Sequence, residues 1–139
     1  MTIVISGILI GLGIASYNTF NQRQTLNLAL RTLRTNLWAA QSRAQAGKRP
    51  LTGCTNFTGY LVSFNLDNYQ LAADCDEGQV NIETINLPNS VRLQSAPCQI
   101  LFKTGQEGTD LTADLTLQYV YQSTSETQSV IITVTGEIK

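Results

Sequence analysis

Three cysteines, Cys54, Cys75 and Cys98, and the acidic run Asp74-Cys75-Asp76-Glu77 are the groups in this chain best equipped for chemistry. Thiols can attack an electrophile, hold a metal or pair, and clustered carboxylates can offer oxygens to calcium. The sequence withholds what most of this chemistry needs. It contains no histidine, the commonest general base and metal ligand. No two cysteines form a CxxC pair, which argues against zinc. Cys98, in Ala96-Pro97-Cys98-Gln99, lacks a recognisable base. No GxSxG, phosphate loop or paired-carboxylate motif is present. The acidic run lacks EF-hand spacing and reads as a solvated turn over Asp74–Gly78. The expectation is no enzyme, no catalytic residue, no metal and no cofactor.

The remaining role for the thiols is structural. Three single bridges are possible. Cys54–Cys75 is the favoured one, because the two flank a hairpin pattern and closing about 20 residues would stabilise the fold by roughly 3 kcal/mol. Such a bridge implies an oxidising compartment, and the alternative is three free thiols in a reducing one.

What must position these groups is an N-terminal helix and a β-rich remainder. Residues 1–46 read as one helix in two halves, 1–22 and 23–46. The first, through Ala15, is apolar, and the first charged side chain is Arg23. In the second, Leu26, Leu30, Leu33, Leu37, Ala40 and Ala44 step by 4, 3, 4, 3 and 4, which is one buried face of a helix. Gly47 followed by Pro50 is a stop signal. At about 1.5 Å per residue the helix would run nearly 70 Å, far more than a domain of this size buries alone. Ile3, Ile5, Ile8, Leu9, Leu12 and Ile14 are candidates for packing against other helices. Gly7, Gly11 and Gly13 lie among them, and Gly7 and Gly11 form a GxxxG pair that permits close approach. Glycine at this density also predicts local unwinding near Gly11–Gly13. The apolar run is short of the roughly 20 residues of a full membrane span and lacks a basic leader.

Charge is divided. Residues 1–50 carry six basic and no acidic residues, and the rest carry three basic and ten acidic, so +6 and −7 give the net −1. A basic rod joined to an acidic head invites attraction between copies. Arg23, Arg31 and Arg34 share a flank of the leucine stripe with Trp38, a spacing at which Arg34 and Trp38 can stack.

Residues 47–139 alternate as a strand domain. Tyr60, Val62, Phe64 and Leu66 form one face of a strand over Gly59–Leu66, and Tyr69–Ala73 returns after an Asp67-Asn68 turn. Val80, Ile82 and Ile85 mark a third strand, with short ones at Val91–Leu93 and Gln99–Lys103. Ala113–Tyr121 and Gln128–Thr135 read as a final antiparallel pair. The fold class is therefore α+β, a long helix packed by its second half on an antiparallel β-sheet head.

Several of these stretches resemble the type IV filament superfamily, the type IV pilins and the pseudopilins of type II secretion. Ile5-Ser6-Gly7-Ile8-Leu9 and Ile14-Ala15-Ser16-Tyr17 are similar to the later part of the family's apolar helix. In that register the chain is expected to begin about seven residues inside the family's mature N-terminus; in a second register Met1-Thr2-Ile3-Val4 resembles the family start. The family's N-terminal glutamate is absent in both, and Ala15 replaces its helix-breaking proline. Residues 33–44 resemble the helix of H-type minor pseudopilins and related minor pilins, and 129–138 their closing strand. The resemblance implies a structural subunit of an extracellular filament on the cell surface, membrane-embedded before assembly. Its implied partners are copies of itself, the pilus or secretion assembly machinery and the inner membrane. A minor subunit that primes a filament, serves type II secretion or binds DNA through Lys48, Arg49 and Arg92 is the alternative. The acidic head argues against nucleic acid. A membrane-anchored surface domain that never polymerises is the third reading.

Overall fold

The computed structural model describes residues 2–48, 50, 52–105 and 108–139; of helix residues 2–19 it describes the side-chain surroundings of positions 8, 13 and 17 only, and of residue 81 the backbone only. One helix, α1 (Thr2–Gln45), is followed by β1 (Phe57–Phe64), β2 (Asn68–Cys75), β3 (Gly78–Asn86), β4 (Val91–Leu93), β5 (Cys98–Lys103), β6 (Leu115–Tyr121) and β7 (Glu126–Ile132). The class is α+β, a helix packed on antiparallel sheets.

Helix α1 is continuous, including Gly11–Gly13, so the expected unwinding does not occur. No proline interrupts it, and isolated glycines at about 1 kcal/mol each weaken a helix without breaking its hydrogen-bond ladder. Its end is a Schellman motif: Gly47 turns at φ +66°, its N–H donates to the Ala44 carbonyl, and the Lys48 N–H reaches back to Arg43.

The strands form two sheets, ordered β3-β2-β1-β5 and β4-β6-β7. Every pairing is antiparallel. Leu26, Leu30, Leu33, Leu37, Ala40 and Ala44 lie at 0–1% exposure in the same core as Val62 and Phe64 of β1, Ile100 and Phe102 of β5, Leu117 and Tyr119 of β6, and Val130 and Ile132 of β7. Each strand contributes alternate residues, as the two-residue period of the pleat requires.

Two strand faces differ from expectation. Leu66 is 48% exposed, because β1 ends at Phe64 and Leu66 falls in the turn. Ile82 is 55% exposed. Leu71 pairs with Glu83 and Ala73 with Val80, so Asn81 and Ile82 together oppose the single Ala72. This bulge shifts the alternation by one and turns Ile82 outward. The acidic turn is also shorter than expected: Asp74 and Cys75 belong to β2, leaving Asp76 and Glu77 between the strands.

One outer edge of each sheet, β5 and β7, is closed by the chain itself. Residues 108–110 bond to β5, with Lys103 N–H donating to Gly108 and Asp110 N–H to Leu101. Residues 137–139 do the same for β7, through Ile131 and Thr133. Thr109, 5% exposed, ties the two closures together by donating its hydroxyl to the Val134 carbonyl at 2.8 Å.

Candidate functional site

The thiols and carboxylates singled out above form a clamp. Cys54 and Cys75 are joined, with Cα atoms 5.4 Å apart and a sequence separation of 21. The acidic groups beside Cys75 hold the segment that follows Cys54. Both Glu77 carboxylate oxygens accept from the Thr55 N–H at 3.2 Å. Asp76 Oδ2 accepts from Asn56 Nδ2 at 2.6 Å, and Asp74 Oδ2 accepts from the Thr58 hydroxyl at 2.7 Å. Hydrogen bonds from Thr55, the side chain first, hold the Glu77 carboxyl below its usual value. The carboxylates thus stitch β1 to β2, and no group of acidic or thiol side chains able to hold a metal is found among the described residues. Cys75→Ser is expected to cost about 3 kcal/mol, the loop-closure value for this spacing. A urea titration would show the midpoint shift; a loss below about 1 kcal/mol would mean that the carboxylate bonds alone hold the hairpin.

Cys98, at the start of β5, is free and partly buried, and burial pushes its thiol up. That is opposite to the shift a nucleophilic thiolate needs. Tyr69 is raised mainly by burial too, with its phenol accepting from Asn36 Nδ2 at 2.7 Å on the helix.

The helix is the larger feature. Along β7 it makes a polar seam: Arg23 Nε pairs with Glu126 at 2.9 Å, Gln128 donates to Asn27, and Arg34 Nη2 donates to the Ser129 carbonyl at 3.4 Å. Arg34 is thus engaged by the head's backbone, while its buried Nε finds no acceptor among the described residues. Trp38 stands 52% exposed.

A second stripe lies opposite the leucines. Tyr17, Phe20, Leu28 and Trp38 fall within about 60° of one line at 100° per residue, centred roughly 180° from Leu26. All four are more than half exposed, from 52% to 69%. Sequence reasoning passed over this stripe because polar residues interrupt it. Two grooves flank Leu28. One, of about 260 Å³, lies between the helix and the β3 end, with Ala29, Tyr69, Ile85 and Leu87 in its wall. The other, of about 430 Å³, runs along the outer helix face between Phe20, Arg23, Leu28 and Arg31.

Of the residues expected to pack with other helices, Ile8 is 60% exposed and Gly13 faces open space. The surroundings of Ile3, Ile5, Gly7, Leu9, Gly11, Leu12 and Ile14 lie outside the described residues. Among the described residues no helix is long and apolar enough to cross a membrane. Arg49, one of the basic residues considered for DNA, also lies outside them. No family model, no curated protein and no solved structure matches this chain.

Proposed function

We propose that this chain is a structural subunit of a type IV pilus-like extracellular filament, polymerising through the apolar first half of its helix. The observation that carries this reading is the mismatch between the helix and its own domain. The helix has 44 residues, yet among the described residues its first buried side chain is Leu26. At about 1.5 Å per residue, roughly 36 Å of helix precedes that point. Eight aliphatic side chains lie between Ile3 and Ile14. At about 1.5–3 kcal/mol for each side chain taken from water, their burial between copies is a strong drive to assemble. Gly7, Gly11 and Gly13 would let neighbouring helices approach closely.

In this reading nothing is turned over. The first half of the helix forms the filament core, residues 23–46 hold the head outside, and the membrane shelters the apolar half before the assembly machinery extracts it. The disulfide suits the oxidising exterior such a filament meets.

The test is negative-stain electron microscopy, with mass spectrometry, of material sheared from the native cell surface. Thin regular fibres composed mainly of this chain are expected. Traces of it in fibres of another protein would point instead to a minor, priming subunit. Retention in the membrane fraction with no fibres would replace the proposal by an anchored surface domain.

A further inference from the structure

We infer that two copies of this chain join through their β3 strands, paired antiparallel over residues 82–86 about a two-fold at Thr84. The inference uses the head alone and stands apart from the filament reading. An edge strand is a template for another strand unless the protein guards it. Of the outer edges of the two sheets, all but one are engaged. Residues 108–110 bond to β5, residues 137–139 bond to β7, and the Leu93 N–H of β4 donates to the Leu66 carbonyl. The exception is β3. It is 9 residues long, lies at the rim of its sheet, and holds no Lys, Arg or Pro and a single charge, Glu83. Ile82, Glu83, Thr84 and Asn86 are all exposed.

The ladder fixes which backbone groups of β3 are free. Leu87 N–H donates to the Asp67 carbonyl, and the register runs on through Tyr69–Ile85 and Leu71–Glu83. In an antiparallel pair every second residue bonds to the one opposite, so Ile85 and Glu83 face β2. The N–H and C=O groups of Ile82, Thr84 and Asn86 therefore face away from it. Among the described residues nothing bonds to these outward groups. Because the other edges are engaged, edge-to-edge pairing of two copies must set β3 against β3. A two-fold at Thr84 opposes Thr84 with its own copy and Ile82 with Asn86, and each such pair exchanges both backbone bonds. Glu83 then falls opposite Ile85, away from the second Glu83. A two-fold at Glu83 would instead oppose the two carboxylates and offer backbone groups already bonded to β2. The bulge opposite Ala72 ends the match at Ile82. On the inner face, the groove of about 260 Å³ lined by Leu28, Ala29, Ile85 and Leu87 opens at this end of β3, so an added strand has apolar surface to cover. The contact is isologous and closes at two copies; it pairs heads and does not itself build a filament.

The test uses the purified full chain in detergent, which keeps the apolar helix halves in micelles. Wild-type protein is expected to sediment as a concentration-dependent dimer. Thr84→Pro removes an outward N–H without touching the β2 ladder, so it should weaken the dimer at least about tenfold while the thermal melt changes little. Thr84→Cys sets two thiols across the two-fold, where opposed Cα atoms lie about 5.5 Å apart and a disulfide can close. On a non-reducing gel its cross-linked dimer should form at least about tenfold faster than that of Thr124→Cys, because pairing raises the local thiol concentration only at Thr84. Thr124 is the control because it is also exposed but lies in the turn between β6 and β7. Should Thr84→Pro fail to fold, the two cysteine variants still decide. Cross-linking at Thr84 no faster than at Thr124, a dimer indifferent to Thr84→Pro, or a wild-type monomer at every concentration would overturn the β3 contact and leave the filament reading standing. Absence of fibres from the cell surface would overturn the filament reading and leave this contact standing.

Discussion

Leu33→Ala is expected to destabilise the protein by about 4 kcal/mol, within the range for fully buried leucines cut to alanine. Leu33 is 0% exposed, at the middle of the stripe that runs from Leu26 to Ala44. The substitution removes the side chain from a core shared by both sheets and leaves a cavity that a 44-residue helix cannot easily close. Thermal melting should fall by roughly 15 °C for a chain of this size. Leu28→Ala is the matched control: same helix, same chemical change, but 62% exposed, so its stability should move by no more than about 0.5 kcal/mol. Calorimetry of the two side by side tests the assignment of faces. Equal losses would mean that the helix is not held to the head by the leucine face.

The pair also shows what the sequence makes legible. A face repeating every three or four residues survives any tertiary arrangement, so Leu26–Ala44 can be read before a partner surface is known. Cys54–Cys75 was readable for a similar reason, since both cysteines flank one local hairpin. The outer stripe was harder to see. Tyr17, Phe20, Leu28 and Trp38 are spaced by 3, 8 and 10, with Gln24, Arg31 and Thr35 between them on the same face.

Features created by pairing were not legible. The bulge opposite Ala72 exists only once β3 lies against β2, so the even spacing of Val80 and Ile82 gave no warning that Ile82 would turn outward. The division into two sheets depends on β4 joining β6 across the sequence of β5. The carboxylate clamp has the same origin: an acidic run with no local purpose becomes a set of acceptors once the disulfide brings residues 54–58 alongside. The candidate site inherits both kinds of information. Its disulfide follows from local spacing, while its carboxylate bonds follow from strand pairing.

Gly59→Ala is expected to cost about 4 kcal/mol or more, placing it in the tail of substitutions that disrupt a fold. Gly59 opens the regular part of β1, paired with Asp74 on one side and Lys103 on the other, just past the irregularity after Phe57. A Cβ at this position would lie 2.0 Å from the Phe102 carbonyl oxygen and 2.9 Å from its carbon. Both are backbone atoms, so no side-chain rotation relieves the overlap; β5 must move away from β1. That movement would break the Gly59–Lys103 and Tyr60–Phe102 pairings and disturb Phe102, which is 1% exposed in the core beneath the helix. Gly78→Ala separates this effect from simple backbone strain. Gly78 turns at φ +119° but a Cβ there meets nothing within 4 Å, so its cost should be only about 1–2 kcal/mol. Urea unfolding of both variants decides the matter. If Gly59→Ala were no worse than Gly78→Ala, the close approach of β5 to β1 would be wrong, and with it the sheet on which the helix rests.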